Sequence, residues 1–258
     1  MKKLVSVFCA LLFFASAAQA AEKIVLGVTP FPAQEIAAVA AEVLEKQGYE
    51  VEIKEFTDFI QPNLALEDGS LDANFFQHLP FLENMRSEKN LDIVAITKVH
   101  LLPIGIYSHK IKSLAEVGDR AVVAVPNDPT NGFRAYKLLE REGLLKMKDG
   151  VNLTARDILE NPKNLKIIEL EAPQLPRTLS DTTISVINMN FAVDAGLDPS
   201  KDALALEDKD SPYAVVLACR GEDKDKPQIK ALAAALNSPE VKRFITEELA
   251  SKGVLPAF

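Results

Sequence analysis

The chain is short of the residues that make reactions or staple folds. Its 258 residues include no tryptophan, two cysteines and three histidines. Cys9 falls in an N-terminal apolar segment, so Cys219 is the one cysteine left for the folded part and an internal disulfide is excluded. Cys219 lies in the apolar run Tyr213–Cys219, the setting of a small buried hydrophobe rather than a nucleophile. His78, His100 and His109 lack the close spacing of a metal motif, and no metal is expected. No G-x-S-x-G elbow, H-E-x-x-H pair, P-loop or G-x-G-x-x-G turn is present, so neither catalytic residues nor a cofactor are expected. Positive charge is scarce as well: 29 Lys and Arg stand against 37 Asp and Glu. An acidic surface of this kind argues against nucleic acid or an anionic membrane as partner. Beyond the N-terminus, no stretch stays apolar for the ~20 residues that a spanning helix needs.

What is present begins with a leader. Lys2 and Lys3 form a positive region, Leu4–Phe14 an apolar one, and Ala18-Gln19-Ala20 a small-x-small cleavage site. Residues 1–20 therefore read as a signal peptide cleaved after Ala20, sending the rest across a bacterial inner membrane to the periplasm. Cys9 sits inside the apolar region behind Val7 and Phe8, without the small residues that lipid attachment needs, so no lipid anchor is expected there.

After the leader, strands alternate with helices. Lys23–Val28, Val51–Glu55, Ala73–Phe76, Leu91–Val99 and Pro103–Tyr107 read as strands. Between them, Ala33–Gln47 carries Ile36, Val39, Ala40, Val43 and Leu44 on one helical face, and shorter helices fall near Gln61–Leu66 and Pro80–Ser87. The pattern restarts with strands at Ala121–Val125, Leu165–Glu169, Thr183–Asn188 and Tyr213–Cys219, and closes on helices near Pro227–Leu236 and Pro239–Leu249. This alternation predicts parallel βαβ units and an α/β class. A final helical pair after a long middle section predicts that the C-terminus returns to the first domain. The expected division is lobe I, residues 21–104 plus 215–258, and lobe II, residues 105–214, joined by two crossings with a ligand cleft between them.

One stretch carries a local puzzle. The apolar run Ala121–Val125 breaks at Pro126-Asn127-Asp128-Pro129, and a helical pattern with Phe133, Tyr136, Leu138 and Leu139 follows. Thr130 is placed to cap that helix, which puts Asn131–Arg134 in its first turn. Free N–H groups and the positive end of the macrodipole gather there, the wrong place for an arginine unless an anion joins it. A carboxylate held by the N–H groups and a bidentate Arg134 would resolve the conflict. The plain alternative is an arginine that swings into solvent or pairs with Asp128.

Long motifs then match a family. They are Leu71-Asp-Ala-Asn74 with Phe76-Gln-His78 and Pro80, Lys110–Leu114, Val125–Asn131 with Arg134, Leu144–Gly150, Glu160–Ile168, Glu169–Arg177, Val186–Asn188 and Glu207–Tyr213. Over nearly its whole mature length the chain resembles the NlpA family, the periplasmic methionine-binding components of ABC importers. The resemblance implies a type II periplasmic binding protein. Such a monomer would carry an apolar α-amino acid, first of all methionine of either hand, to a membrane permease. Another hydrophobic amino acid, a methionine derivative, a surface adhesin or a secreted enzyme on the same scaffold are the alternatives. It also implies that Arg134 meets the ligand carboxylate with Asn131 beside it, that Asn188 contacts the amino-acid backbone, and that Phe76 and His78 wall the side-chain pocket. Sulfur–ring contacts, about 0.3–1.5 kcal/mol each, suit such a wall to a thioether. Read without the resemblance, Asn188 is a strand-end cap, Phe76 a core residue and His78 a structural imidazole.

This chain departs from the family's pattern at Phe59, Phe81 and Phe191, where tyrosine is common, and at Val215, where asparagine is common. Its first loop reads Pro30-Phe31-Pro32-Ala33 instead of Pro-Gly-Pro-His. The expectation is that these changes gather near the ligand and set which amino acid binds. A buried ligand group that lost its partner would cost about 1–3 kcal/mol.

Overall fold

The computed structural model describes residues 21–208 and 211–258; the expected leader, its cleavage point after Ala20 and Cys9 lie outside them. The first lobe is built on β1 (Glu22–Val28), β2 (Tyr49–Glu55), β3 (Ala73–His78) and β4 (Ile93–Leu101). Interleaved are α1 (Glu35–Glu45), α2 (Gln61–Glu67) and α3 (Leu79–Lys89). The second lobe holds β5 (Ile104–Tyr107), β6 (Val122–Pro126), α4 (Pro129–Arg141), a small hairpin of β7 (Lys146–Met147) and β8 (Ile158–Glu160), β9 (Lys166–Leu170) and β10 (Ile184–Asn188). It ends with α5 (Met189–Asp194), α6 (Pro199–Asp202) and β11 (Ala203–Leu206). The chain then returns to the first lobe as β12 (Ala214–Arg220), α7 (Pro227–Leu236), α8 (Pro239–Phe244) and β13 (Leu255–Pro256).

The six-stranded sheet of the first lobe runs β13-β4-β12-β3-β1-β2, and the five-stranded sheet of the second runs β11-β5-β10-β6-β9. The expected parallel units are there: β1 pairs in parallel with β2 and β3, and β6 with β9 and β10. Neither sheet is wholly parallel, however. The returning strand β12 inserts antiparallel between β3 and β4, and β5 pairs antiparallel with β10 and β11. A strand arriving from the other lobe enters from the opposite end of the sheet, which sets that direction.

Each lobe has its own core. In the first, Ile24, Leu26 and Val28 of β1 pack with Ile36, Ala37, Ala40 and Leu44 of α1 and with Ile229, Leu232 and Leu236 of α7. In the second, Val123 and Val125 of β6 pack with Ala135, Tyr136 and Leu139 of α4 and with Ile184 and Val186 of β10. The helix α5 bridges the two, with Met189 in the first core and Phe191 in a cluster of the second. The short strands β7, β8 and β11 and the tight helical turns at Ala172–Ser180 are absent from the sequence expectations. They are too brief for a period to register, and β11 has no buried face to mark it. Among the described residues no helix is long and apolar enough to cross a membrane.

Candidate ligand-binding site between the two lobes

The puzzle at the start of α4 has a different solution from the one expected. The helix begins at Pro129 and its cap is Asp128, not Thr130. The Asp128 carboxylate accepts from the N–H groups of Thr130 (3.2 Å) and Asn131 (2.8 Å), and from the Asn131 side-chain amide at 3.0 Å. Asp-Pro at these two positions joins a good capping acceptor to a residue preset for the first helical turn. The anion at the helix start is thus part of the chain.

Arg134 neither swings into solvent nor pairs with Asp128. It is 3% exposed and lies against Glu207, which accepts from Nε at 3.1 Å and from Nη2 at 2.5 Å. Nη2 also donates to the carbonyl of Leu102 and Nη1 to Asn131 Oδ1, both at 3.1 Å. The Tyr213 ring covers the guanidinium at 4.4 Å. Four of the five guanidinium N–H bonds are therefore engaged, and the bidentate edge is held by Glu207 rather than left for a ligand. One Nη1 hydrogen remains.

Asn131 is the hub of the polar end. Its Oδ1 accepts from Arg134 Nη1, from Asn188 Nδ2 at 2.9 Å and from His78 Nε2 at 3.1 Å. The His78 tautomer follows: Nδ1 accepts from the Phe81 N–H at 3.1 Å, so the proton sits on Nε2. Burial, with the Arg134 charge nearby, lowers the His78 pKa to about 3, and the ring is neutral. His78 also caps α3, which fixes Phe81 one turn on. Asn188 stands at the start of α5 but makes no side-chain cap. Its Oδ1 is buried without a partner among the described residues, as is Asn190 Nδ2.

Opposite this polar end stands an aromatic wall. Phe59 lies 6.0 Å from Phe76, 5.8 Å from Phe81 and 4.9 Å from Phe191, measured between ring centroids. Together the two ends line a narrow cleft between the lobes. Arg134, Asn131, Asn188, Phe76, His78, Phe59, Phe81 and Val215, the residues expected from the sequence, all line it. Gln77, Leu102, Met189, Asn190 and Tyr213 line it too and were not foreseen. Gln77 and Tyr213 fall inside the family motifs, and the repeated Asn at positions 188 and 190 was a further hint. Glu207 opens one of those motifs, but nothing in the local pattern ties it to Arg134, 73 residues away in sequence.

The departures divide. Phe59, Phe81 and Val215 reach the cavity, and Phe191 acts on it through Phe59. The first loop does not: Phe31 and Ala33 are buried in the core of the first lobe. Beside Val215, in register with it on β4, His100 is buried with neither ring nitrogen partnered among the described residues, and burial lowers its pKa to about 3. Among the described residues there is no group of three or more His, Cys, Asp and Glu side chains that could hold a metal ion. Cys219 is fully buried, and burial pushes its thiol up to about 11.

Comparison with known proteins places this architecture. A D-methionine-binding lipoprotein MetQ of Salmonella typhi is 48% identical over 84% of this chain and 82% of its own length. The structure of a nutrient-binding protein from Burkholderia cenocepacia bound to methionine superposes with a TM-score of 0.88 at 46% identity, over 91% of this chain and all of that one. A periplasmic substrate-binding protein of an ABC transporter from Coxiella burnetii gives 0.87 at 44% identity over the same share. The lipoprotein names withdraw support from the expectation that no lipid is attached. The fold is that of a two-lobe periplasmic binding protein, and the NlpA lipoprotein family model matches residues 24–258: the chain belongs to that family.

Proposed function

We propose that this protein is the periplasmic receptor of an ABC importer, that it binds an apolar α-amino acid, methionine first, and that it hands this ligand to a membrane permease. The observation that carries the reading is the cavity's division into two ends drawn from both lobes. A polar end of Arg134, Asn131, Asn188 and Asn190 faces an aromatic end of Phe59, Phe76 and Phe81. The polar end supplies the remaining Arg134 hydrogen and the Asn190 amide to a carboxylate, and Asn188 Oδ1 to a donor on the neighbouring carbon. The aromatic end suits an unbranched thioether, with Met85 already packed against Phe76 and Phe81 from behind. The methionine named for the relatives supports the choice of ligand.

Lobe I is assigned residues 21–104 and 215–258 and lobe II residues 105–214, closing on the ligand as a hinge pair. His78 to Asn131 and Phe59 to Phe191 are then contacts across the closed cleft. The protein acts as a monomeric carrier rather than an enzyme. Calorimetric titration of ligand-stripped protein with L-methionine, D-methionine, leucine and phenylalanine tests the reading. One-to-one binding strongest for a methionine enantiomer is expected; binding of none of them overturns it.

A further inference from the structure

One of the side chains that join the two lobes titrates near neutral pH when free in water. His78, at the end of β3 in the first lobe, donates its Nε2–H to Asn131 Oδ1 on α4 of the second, at 3.1 Å. Its other nitrogen, Nδ1, accepts from the Phe81 N–H at 3.1 Å and caps α3. Both ring nitrogens are spent, one as donor and one as acceptor, and the residue is 6% exposed. A second proton could go only on Nδ1, where it would face the Phe81 N–H.

The groups packed around the ring oppose that proton as well. From α4 the charge toward the ring is the Arg134 cation, with Glu207 held behind it by that same arginine. From the return crossing the Tyr213 ring stands 5.0 Å away, and burial pushes its hydroxyl above the usual range, so it brings no anion. Val215, in register with His78 on β12, and Phe81 on α3 carry no charge. The aromatic contacts across the cleft, led by Phe59 on Phe191, have no titrating group. Asp194 on α5 faces the Phe31 N–H of the first lobe, and burial and Glu55 push its carboxyl up. Acid therefore favours the Asp194 contact and opposes the His78 one.

Opening the cleft takes Asn131 and Arg134 away from the ring and admits water. The imidazole can then turn Nδ1 outward and accept a proton, losing one cap bond. Closing again requires that proton to leave. We infer that His78 is a proton-sensitive latch between the lobes, through which the receptor holds its ligand at neutral pH and releases it in mild acid. The latch presupposes the receptor reading above, in which the lobes close on the ligand. Its sign follows from linkage: burial lowers the pKa in the closed form from 6.5 to about 3, so the closed form loses ground as pH falls through that window. An open-form pKa between about 5.6 and 6.5, the lower end allowing for the cap, weakens binding about fivefold to thirtyfold at pH 5.

Calorimetric titration of L-methionine and D-methionine into the ligand-stripped, leaderless chain at pH 7.5, 6.5, 5.5 and 5 tests the latch. It is run beside His78→Asn, which keeps the cap acceptor, and His78→Gln, which keeps a donor toward Asn131. The parent is expected to bind about fivefold to thirtyfold more weakly at pH 5 than at pH 7.5. Each variant should change less than about twofold over that range, whatever its affinity at pH 7.5, and His100→Leu should keep the parent's slope. Nuclear magnetic resonance of the imidazoles gives a reading independent of the variants. His78 should titrate between pH 5 and 7 in the ligand-free protein and stay neutral down to pH 5 with methionine bound. Equal affinity at pH 5 and 7.5, a slope that survives both His78 variants or vanishes in His100→Leu, or one His78 titration with and without ligand overturns the latch and leaves the receptor reading in place. No binding of either enantiomer at pH 7.5 overturns both.

Discussion

A buried charge with its half-buried partner and two buried imidazoles set the behaviour of single residues. Arg134 and Glu207 form a pair that is 3% and 15% exposed, 73 residues apart in sequence. Removing one partner strands the other, at about 3–5 kcal/mol, whereas replacing both costs far less. Arg134→Ala is therefore expected to lose both ligand and stability. The double change Arg134→Met with Glu207→Gln should recover most of the stability and none of the binding, as read by urea unfolding and calorimetry. A double variant no more stable than Arg134→Ala would show that the pair is not the coupled unit described. The imidazoles of His78 and His100 are both held neutral by burial, with pKa lowered from 6.5 to about 3. Between those values the unfolded chain binds more protons than the folded one, so stability falls as pH drops through the window. Each contributes a loss on the order of 2 kcal/mol at pH 5. His100→Leu should remove about half of the pH dependence of unfolding free energy between pH 6.5 and 5, above the range where carboxylates titrate. An unchanged slope would contradict the neutral assignment.

At the scale of elements, α4 does the positioning. Gly132 lies in its first turn, close against β6, and an added Cβ would meet the Pro126 carbonyl at 2.9 Å. Gly132→Ala must push the helix start away from the strand. We expect a loss of about 1–3 kcal/mol in urea unfolding. Affinity should fall at least tenfold, because Asn131 and Arg134 sit on either side of the glycine. Unchanged affinity would mean that the site tolerates a shifted helix. This helix also shows what a sequence can and cannot disclose. Its existence and its amphipathic face were plain from Tyr136, Leu138 and Leu139. Its first residue was not, because Asp128 and Thr130 are both good caps and only the backbone decides between them. The pairing of Arg134 with Glu207 was not legible, since Glu207 arrives from the segment after β11, 73 residues away in sequence. The parallel units followed from the alternation of strand and helix. The antiparallel insertion of β12 did not, because local pattern carries no strand direction.

For the whole molecule, the cavity belongs to neither lobe alone. Phe59, Phe76, His78 and Phe81 come from the first, Asn131, Arg134, Asn188 and Asn190 from the second, and Tyr213 and Val215 from the return crossing. The residues that line it were largely visible in the sequence as members of long family motifs. Their division of labour was not, because it depends on which hydrogen-bonding groups are already spent inside the fold. A ligand bound in this cleft ties the lobes together, and at a hundred times its dissociation constant it should stabilise the protein by about 2.7 kcal/mol. The most direct measurement is calorimetric titration of methionine into the ligand-stripped protein. The account predicts saturable one-to-one binding that is lost in the Arg134→Met, Glu207→Gln double variant; no binding of either enantiomer, or undiminished binding by that variant, would contradict it.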